Sequence, residues 1–439
     1  MGAWPGGLFI LRCNNYLWTE LPFMLQRLPL RSLAANIDFL RRFPKLPHLG
    51  GFGLYGRGRA SGVQSPLIEV ADFGDNPGGL RMFTFLPPEL PRRPALVVVL
   101  HGCGQDAKSY DHGAGWSTIA RRYGFALLMP QQQEVNNPNT CFNWFNPEDV
   151  ARDSGEAASI RRMIDKMAHD HRIDRRRIYI TGLSAGGAMT MAMLAVYPEL
   201  FAASAVIAGL PYGIAGNMRE ALGGMMAAPS RSARELGDLV RNASPHRGPW
   251  PRLSVWHGSA DRTVHPGNAD EIVKQWLDLH DLPEAPMSEA KVDGHPHQVW
   301  WNADGSTVVE SYTISGMAHG TPIGVADGDQ RYGAEGAFLI EAGISSSYHI
   351  AKFFGLTRRV PQAATQAEVV GQGLEGMTAI GRPKSYPAVA PVTLPSPDLP
   401  AGPRLPGGPS IDDLQEKPRD PLGIGGLISR ALTAAGLRK

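Results

Sequence analysis

The stretch PALVVVLHG, residues 94–102, constrains the fold most. Its apolar run from Ala95 to Leu100 is unbroken and rich in valine, which marks a strand covered on both faces. Such a strand needs helices above and below its sheet, and the flanking sequence supplies them. GWSTIARRYG reads as a helix and FALLMPQ as a second buried strand. RDSGEAASIRRMIDKMAHDH carries Ala157, Ile160, Ile164 and Met167 on one face at helical spacing. RIYITG reads as a third buried strand, with the helix GGAMTMAMLAVYP close behind, and FAASAVIAG and LSVWHG continue the series. LRMFTFLP, earlier in the chain, reads as an edge strand. This alternation predicts an α/β fold with a mostly parallel central sheet and helices on both faces. Ligands bind such sheets at the carboxyl ends of the strands.

The 439 residues divide into three parts by composition. Residues 1–65 form an extension, partly helical, that closes on the glycine-rich GGFGLYGRGRASG. Residues 66–358 hold the alternating pattern and form the expected catalytic domain. Residues 359–439 are rich in Pro, Gly and Ala, a composition too poor in apolar surface to order itself, with a short apolar helix expected in LGIGGLISRALTAAGL. Net charge is +2, which gives no reason to expect a nucleic-acid partner. No apolar run is long enough for a transmembrane helix. MGAWPGGLFILRC lacks a basic leading segment and Arg12 interrupts its apolar stretch, so it makes a poor signal peptide. The segment from Met24, MLQRLPLRSLAANIDFLRRF, reads as a basic amphipathic helix, suited either to packing on the domain or to touching a lipid or polymer surface.

The chemistry centres on ITGLSAGGAM, residues 180–189. Ser184 sits in Gly-x-Ser-x-Gly, after a buried strand and before a helix, the setting of a nucleophile elbow. The sharp turn needs small flanking residues, which Gly182, Ala185, Gly186 and Gly187 provide. A serine hydroxyl is a weak nucleophile and needs a base held by a third group, here in the chain order Ser, acid, His. Asp261, in LSVWHGSADRTVH, follows a later strand and is the expected acid; Asp270 and Asp278 fall within the next helix. Among the later histidines, His265, His280, His295, His297, His319 and His349, the expected base is His319, which follows a β-prone run in a glycine-bracketed loop. His295 and His297, in the turn-like DGHPHQ, are the alternative. The expected oxyanion donors are the backbone N–H groups of Ala185, at the helix start, and Cys103, in LHGCGQ, with Gly102 close behind.

Main-chain donation leaves the side chain of Cys103 free. Of the three cysteines, Cys13, Cys103 and Cys141, the last two fall in loops after neighbouring strands. They form either a disulfide beside the oxyanion loop or a pair of free thiols. Ligand spacing for a metal is lacking, so neither a metal nor another cofactor is expected. Of the aromatics near this rim (Trp116, Phe142, Trp144, Phe145, Tyr212, Trp256, Trp300 and Trp301), we single out Trp144, Tyr212 and Trp301 as an apolar platform for substrate.

Taken together, VVVLHGCGQDAKSYDHGAGWSTIARRYGFALLMPQQ, NPNTCFNWF, GEAASI, TGLSAGGAMT, AGLPYG and HGSADRTVHPGNAD resemble the esterase, PHB depolymerase family. That family comprises catalytic domains of short-chain polyhydroxyalkanoate depolymerases, close to feruloyl and acetylxylan esterases. The resemblance covers roughly residues 68–356. It implies an α/β-hydrolase fold, a serine-esterase mechanism on Ser184, Asp261 and His319, and a disulfide between Cys103 and Cys141. The family and the cysteine pair imply an extracellular or periplasmic protein, against which the poor signal peptide leaves a cytoplasmic one as the alternative. Relatives with a separate polymer-binding domain differ from this chain, whose Pro-rich tail lacks a β pattern. Three functions follow: a polyester or oligomer esterase, a feruloyl or acetylxylan esterase, or a polymer-granule or surface-binding protein with a vestigial site.

Overall fold

The computed structural model describes residues 65–228, 230–326 and 330–357. The N-terminal extension with its basic helix, Cys13 and the Pro-rich tail lie outside the described residues.

A ten-stranded sheet in the order β1-β2-β4-β3-β5-β6-β7-β10-β9-β8 organises them. Its middle is parallel: β4 (Ala126–Gln131), β3 (Leu96–Leu100), β5 (Ile178–Leu183), β6 (Ala203–Ile207), β7 (Arg252–Gly258) and β10 (Thr307–Ile314). Antiparallel strands flank it on both sides, β2 (Arg81–Phe85) with β1 (Ile68–Val70) at one edge, and β9 (His295–Trp301) with β8 (Ser288–Val292) at the other. A small parallel pair, β11 (Thr321–Ile323) and β12 (Leu339–Glu341), lies outside it.

The β3 side chains show why the sheet is double-sided. Leu96, Val98 and Leu100 belong to one core cluster, whereas Val97 and Val99 belong to another. The first is closed by α4 (Gly155–Asp170), α5 (Ala185–Val196) and α8 (Gly267–Leu279), through residues such as Ile160, Ile164, Met189 and Trp276. The second is closed by α1 (Ala107–Ala114), α2 (Trp116–Tyr123) and α9 (Ser346–Phe353), through Tyr110, Ile119 and Ile350. The turn α3 (Pro147–Val150) and helices α6 (Met218–Ala227) and α7 (Ala233–Arg241) complete the series. Every residue of α5 is buried, as a helix apolar on all sides requires.

Two expectations need correction. LRMFTFLP does not form an edge: β2 is flanked by β1 and β4, and its residues from Met82 to Phe85 are buried on both faces. The edge is instead β1, where Ile68 is exposed. His295 and His297 are not turn residues but open β9; the turn itself is Asp293–Gly294, both with positive φ. His297 Nε2 faces Glu310 Oε2 at 3.0 Å, whereas the imidazole at Ser184 is that of His319.

Candidate active site

Ser184 stands between β5 and α5 with φ 57° and ψ −117°, a strained conformation for a residue with a Cβ. The turn is tight because backbone meets backbone around it. A Cβ on Gly186 would lie 2.5 Å from the carbonyl oxygens of both Leu100 and His101, so the first turn of α5 lies directly against the end of β3. A Cβ on Gly182 would strike the carbonyl of Gly186. The Ser184 N–H donates to Ile207 O at 2.9 Å, which ties the elbow to β6.

Asp261 and His319 arrive from the loops after two adjacent parallel strands, β7 and β10. These loops are stitched together: Ser259 N–H donates to Ile314 O, Ala260 N–H to Met317 O, and Gly316 N–H to Ser259 Oγ at 2.8 Å. Gly258 is required here, since a Cβ would run into the Met317 and Ala318 carbonyls. The result is a continuous chain of contacts, with His319 Nε2 2.9 Å from Ser184 Oγ and His319 Nδ1 2.7 Å from Asp261 Oδ2. Asp261 Oδ1 accepts from the N–H groups of Thr263 (2.8 Å) and Val264 (2.9 Å). Burial works against the Asp261 charge, but hydrogen bonds from His257 and His319 outweigh it and hold the carboxyl well below its ordinary range. With Asp261 ionised, His319 Nδ1 carries a proton and Nε2 is free to accept one from Ser184.

The loop after β3 is built as rigidly. Cys103 and Cys141 form a disulfide with Cα atoms 4.3 Å apart. The buried His101 Nε2 accepts from the Gln132 N–H at 3.1 Å, so Nδ1 bears the proton and donates to Gly102 O at 2.8 Å. Burial also lowers the His101 pKa, which keeps the ring neutral. A trans peptide holds its C=O and N–H antiparallel, so pinning the Gly102 carbonyl turns the Cys103 N–H away from the His101 ring. Ala185 opens α5, and its N–H therefore has no acceptor within the helix.

Glu156, in the GEAASI stretch of α4, supports this loop from below. It is buried and accepts from Gln132 Nε2, Asn143 N and Asn143 Nδ2. Burial, then the Asp149 charge, push its carboxyl up to about 8, against those donors. Gln132 Nε2 also donates to Cys141 O at 3.1 Å, linking Glu156 to the disulfide.

Of the aromatics singled out from sequence, Trp144 is half-buried and packs against the apolar cluster of Ala188, Leu210, Ile214, Leu236 and Val264. Tyr212, also half-buried, is held by backbone hydrogen bonds to Gln275. Trp301 is not brought to the site. It pairs with Thr307 at the start of β10, whereas His319 follows the end of that eight-residue strand, roughly 20 Å away along its axis. Sequence alternation does distinguish Trp300, buried at 2%, from Trp301, exposed at 37%; it cannot say which end of the sheet they occupy.

Sequence reading missed Phe338. Its ring stands edge-on to His319 with centroids 5.9 Å apart. Its φ of 62° is costly for a bulky residue. The surrounding hydrogen bonds impose it: Thr321 N–H donates to Phe338 O at 2.8 Å, and Gln105 Nε2 donates to Ala337 O at 3.1 Å. Gln105 Oε1 also accepts from Gly102 N–H, so one side chain joins the Phe338 turn to the loop after β3. Lying in GAEGAFLIEAG, outside any motif, Phe338 carried no signal beyond its neighbouring glycines.

Residues 80–295 match the family model Esterase PHB depolymerase. The chain is 45% identical over 291 residues to poly(3-hydroxyalkanoate) depolymerase C of Paucimonas lemoignei, covering 66% of this chain and 70% of that protein. The chain belongs to the Esterase PHB depolymerase family. It is accordingly a carboxylic ester hydrolase. Within and around this family it is also similar to feruloyl esterase B of Neurospora crassa, 32% identical over 277 residues, covering 60% of this chain and 91% of that one. The acetylxylan esterase of Coprinopsis cinerea is likewise 32% identical, over 58% of this chain and 69% of its own. Among solved structures, the acetyl xylan esterase from Aspergillus awamori superposes with a TM-score of 0.56 at 22% identity, covering 66% of this chain and 99% of that one. At that identity the likeness speaks for the α/β-hydrolase-like fold alone.

Proposed function

We propose that the esterase of this chain acts on a polyester of short hydroxy acids, or on its oligomers, with Ser184 as nucleophile. The observation that carries the mechanism is the unbroken path from Ser184 Oγ through His319 to Asp261, at 2.9 and 2.7 Å. Substrate class rests on the 45% identity to a protein named as a poly(3-hydroxyalkanoate) depolymerase. Phe338 beside His319 adds an apolar wall suited to a repeating aliphatic ester, and Trp144 packs on the apolar cluster that includes Ala188 of α5.

In the proposed cycle, His319 Nε2 takes the Ser184 proton as Oγ attacks the ester carbonyl. The N–H groups of Cys103 and Ala185 hold the developing oxyanion, and Asp261 stabilises the imidazolium. His319 then returns the proton to the leaving alkoxide, and the acyl group stays on Ser184. Water, deprotonated by the same imidazole, releases the hydroxy acid and restores the serine. The Cys103–Cys141 disulfide supports an oxidising location, outside the cytoplasm.

The second reading, a feruloyl or acetylxylan esterase, is favoured by the two relatives at 32% identity. Rates on polyhydroxybutyrate film, methyl ferulate and acetylated xylan separate the two. On the preferred reading the film is cleared and Ser184→Ala abolishes clearing together with p-nitrophenyl acetate hydrolysis. Clearance by Ser184→Ala, or turnover confined to the plant esters, would refute it.

A further inference from the structure

A second imidazole reaches Asp261. His257, the penultimate residue of β7, has a side chain only 3% exposed. Its Nε2 lies 3.0 Å from Val264 O and 3.2 Å from Asp261 Oδ2. Both neighbours are acceptors, the carbonyl always and the carboxylate because it is ionised, so Nε2 must carry the proton. His257 Nδ1 is buried without a hydrogen-bond partner, and a proton there would be stranded. The geometry therefore places the donated proton on Nε2 and leaves Nδ1 without a relay partner.

Asp261 Oδ2 thus has two imidazole nitrogens against it, His319 Nδ1 in hydrogen bond at 2.7 Å and His257 Nε2 at 3.2 Å, the His257 N–H being shared with its shorter bond to Val264 O, while Oδ1 is occupied by backbone donors. We infer that His257 is a positioning residue for the ester-cleaving site, one that locks Oδ2 of Asp261 against His319 and draws off part of its charge. This inference rests on the proposed Ser184–His319–Asp261 reading. During acylation the Ser184 proton moves to His319 Nε2, the His319 Nδ1 proton stays on the Asp261 hydrogen bond, and His257 keeps its own proton throughout. Among the described residues, the charged and titratable groups whose electrostatics reach His257 are Asp261, with His319 across that carboxylate, and Asp270 on α8.

Without His257, Oδ2 presents more charge to His319 and is freer to tilt. The first change favours the imidazolium, which cannot accept the serine proton, and moves the acidic limb of the pH profile upward. The second slows the chemical step. Neither touches substrate binding.

The test compares the full chain with His257→Leu, His257→Gln and Ser184→Ala on p-nitrophenyl acetate, with folding checked by circular dichroism. For His257→Leu we expect kcat to fall about 10-fold or more. KM should stay within about twofold, and the acidic limb of kcat/KM should move up by about half a pH unit. His257→Gln, whose amide N–H can occupy the place of Nε2–H, should recover most of kcat and return the limb. If His257→Leu does not fold, His257→Asn, too short to reach Oδ2, replaces it with the same expectations. Wild-type kcat and an unmoved limb in the folded variant overturn the inference. So does equal loss in the Leu and Gln variants with the limb unmoved, which means that only ring shape matters. Activity in Ser184→Ala instead brings down the triad reading itself, a distinguishable result.

Discussion

Asp261 illustrates how a single side chain sets the pH behaviour. Its carboxyl is held below the ordinary carboxylate range by His257 and His319 despite burial. A depressed folded pKa contributes stability that is present above the unfolded value and lost as pH falls through the folded one. Asp261 therefore stays charged throughout the range in which imidazoles titrate. We expect log kcat/KM to fall on acidification between about pH 8 and 5 with the slope of one proton; a slope of two would mean that Asp261 titrates there as well. At this scale much was legible: Ser184, Asp261 and His319 each follow a strand signal, and the glycines around them mark tight turns. Phe338 was not legible, because its neighbours along the chain say nothing of His319 lying against it; His257 stands only four residues before Asp261, but the strand-to-loop turn that folds the two side chains together is not marked in the sequence.

Between elements, close approach governs. Gly186 lets the first turn of α5 rest on the end of β3. Gly186→Ala should destabilise the fold by about 1–3 kcal/mol through overpacking and widen the gap between the Ala185 and Cys103 N–H groups. Thermal unfolding and kcat on a p-nitrophenyl ester should both register it, with a lower midpoint and a lower kcat at little-changed KM. The disulfide acts across a similar junction, closing a separation of 38 residues between the loops after β3 and β4. Its loss in Cys103→Ser/Cys141→Ser should lower stability by up to about 4 kcal/mol in the chain-entropy model, read as an earlier urea midpoint. Activity below that midpoint should fall as well, since Cys103 lies in the loop that Glu156, Gln132 and His101 also hold. That buried network could not be read from sequence: GEAASI shows an acidic residue at a helix start, whereas its partners Gln132 and Asn143 both come from the loop after β4. β2 was misread for the related reason that an edge is defined by the presence or absence of a neighbour, here the three-residue β1.

Across the whole molecule, the described residues contain both faces of the sheet, the proposed Ser184–His319–Asp261 site and the cores on either side. A fragment of residues 65–357 is expected to fold cooperatively and to hydrolyse soluble p-nitrophenyl esters with kcat/KM within about threefold of the full chain. A fragment that expresses only as aggregate, or is inactive though folded, would show that the extensions take part in the fold or the site. Comparing the two proteins on polyester film, at equal activity on the soluble ester, would show whether residues 1–64 or 358–439 help at a polymer surface. Among the described residues no helix is long and apolar enough to cross a membrane.

The sequence by itself determined the alternation of buried strands and helices, the parallel middle of the sheet and the order in which Ser184, Asp261 and His319 follow their strands. These are properties of periodicity and of turns, and both are local in the chain. Only the tertiary structure decided that β2 is an interior strand, that Trp301 lies at the wrong end of β10, and that Phe338 leans over His319. It alone turned His257, four residues upstream, back onto Asp261 and set a buried carboxyl under the loop after β3. Those features depend on register and on which loops meet after the strands are ordered, and residues far apart in the chain carry no mark of the distance that will separate them in the fold.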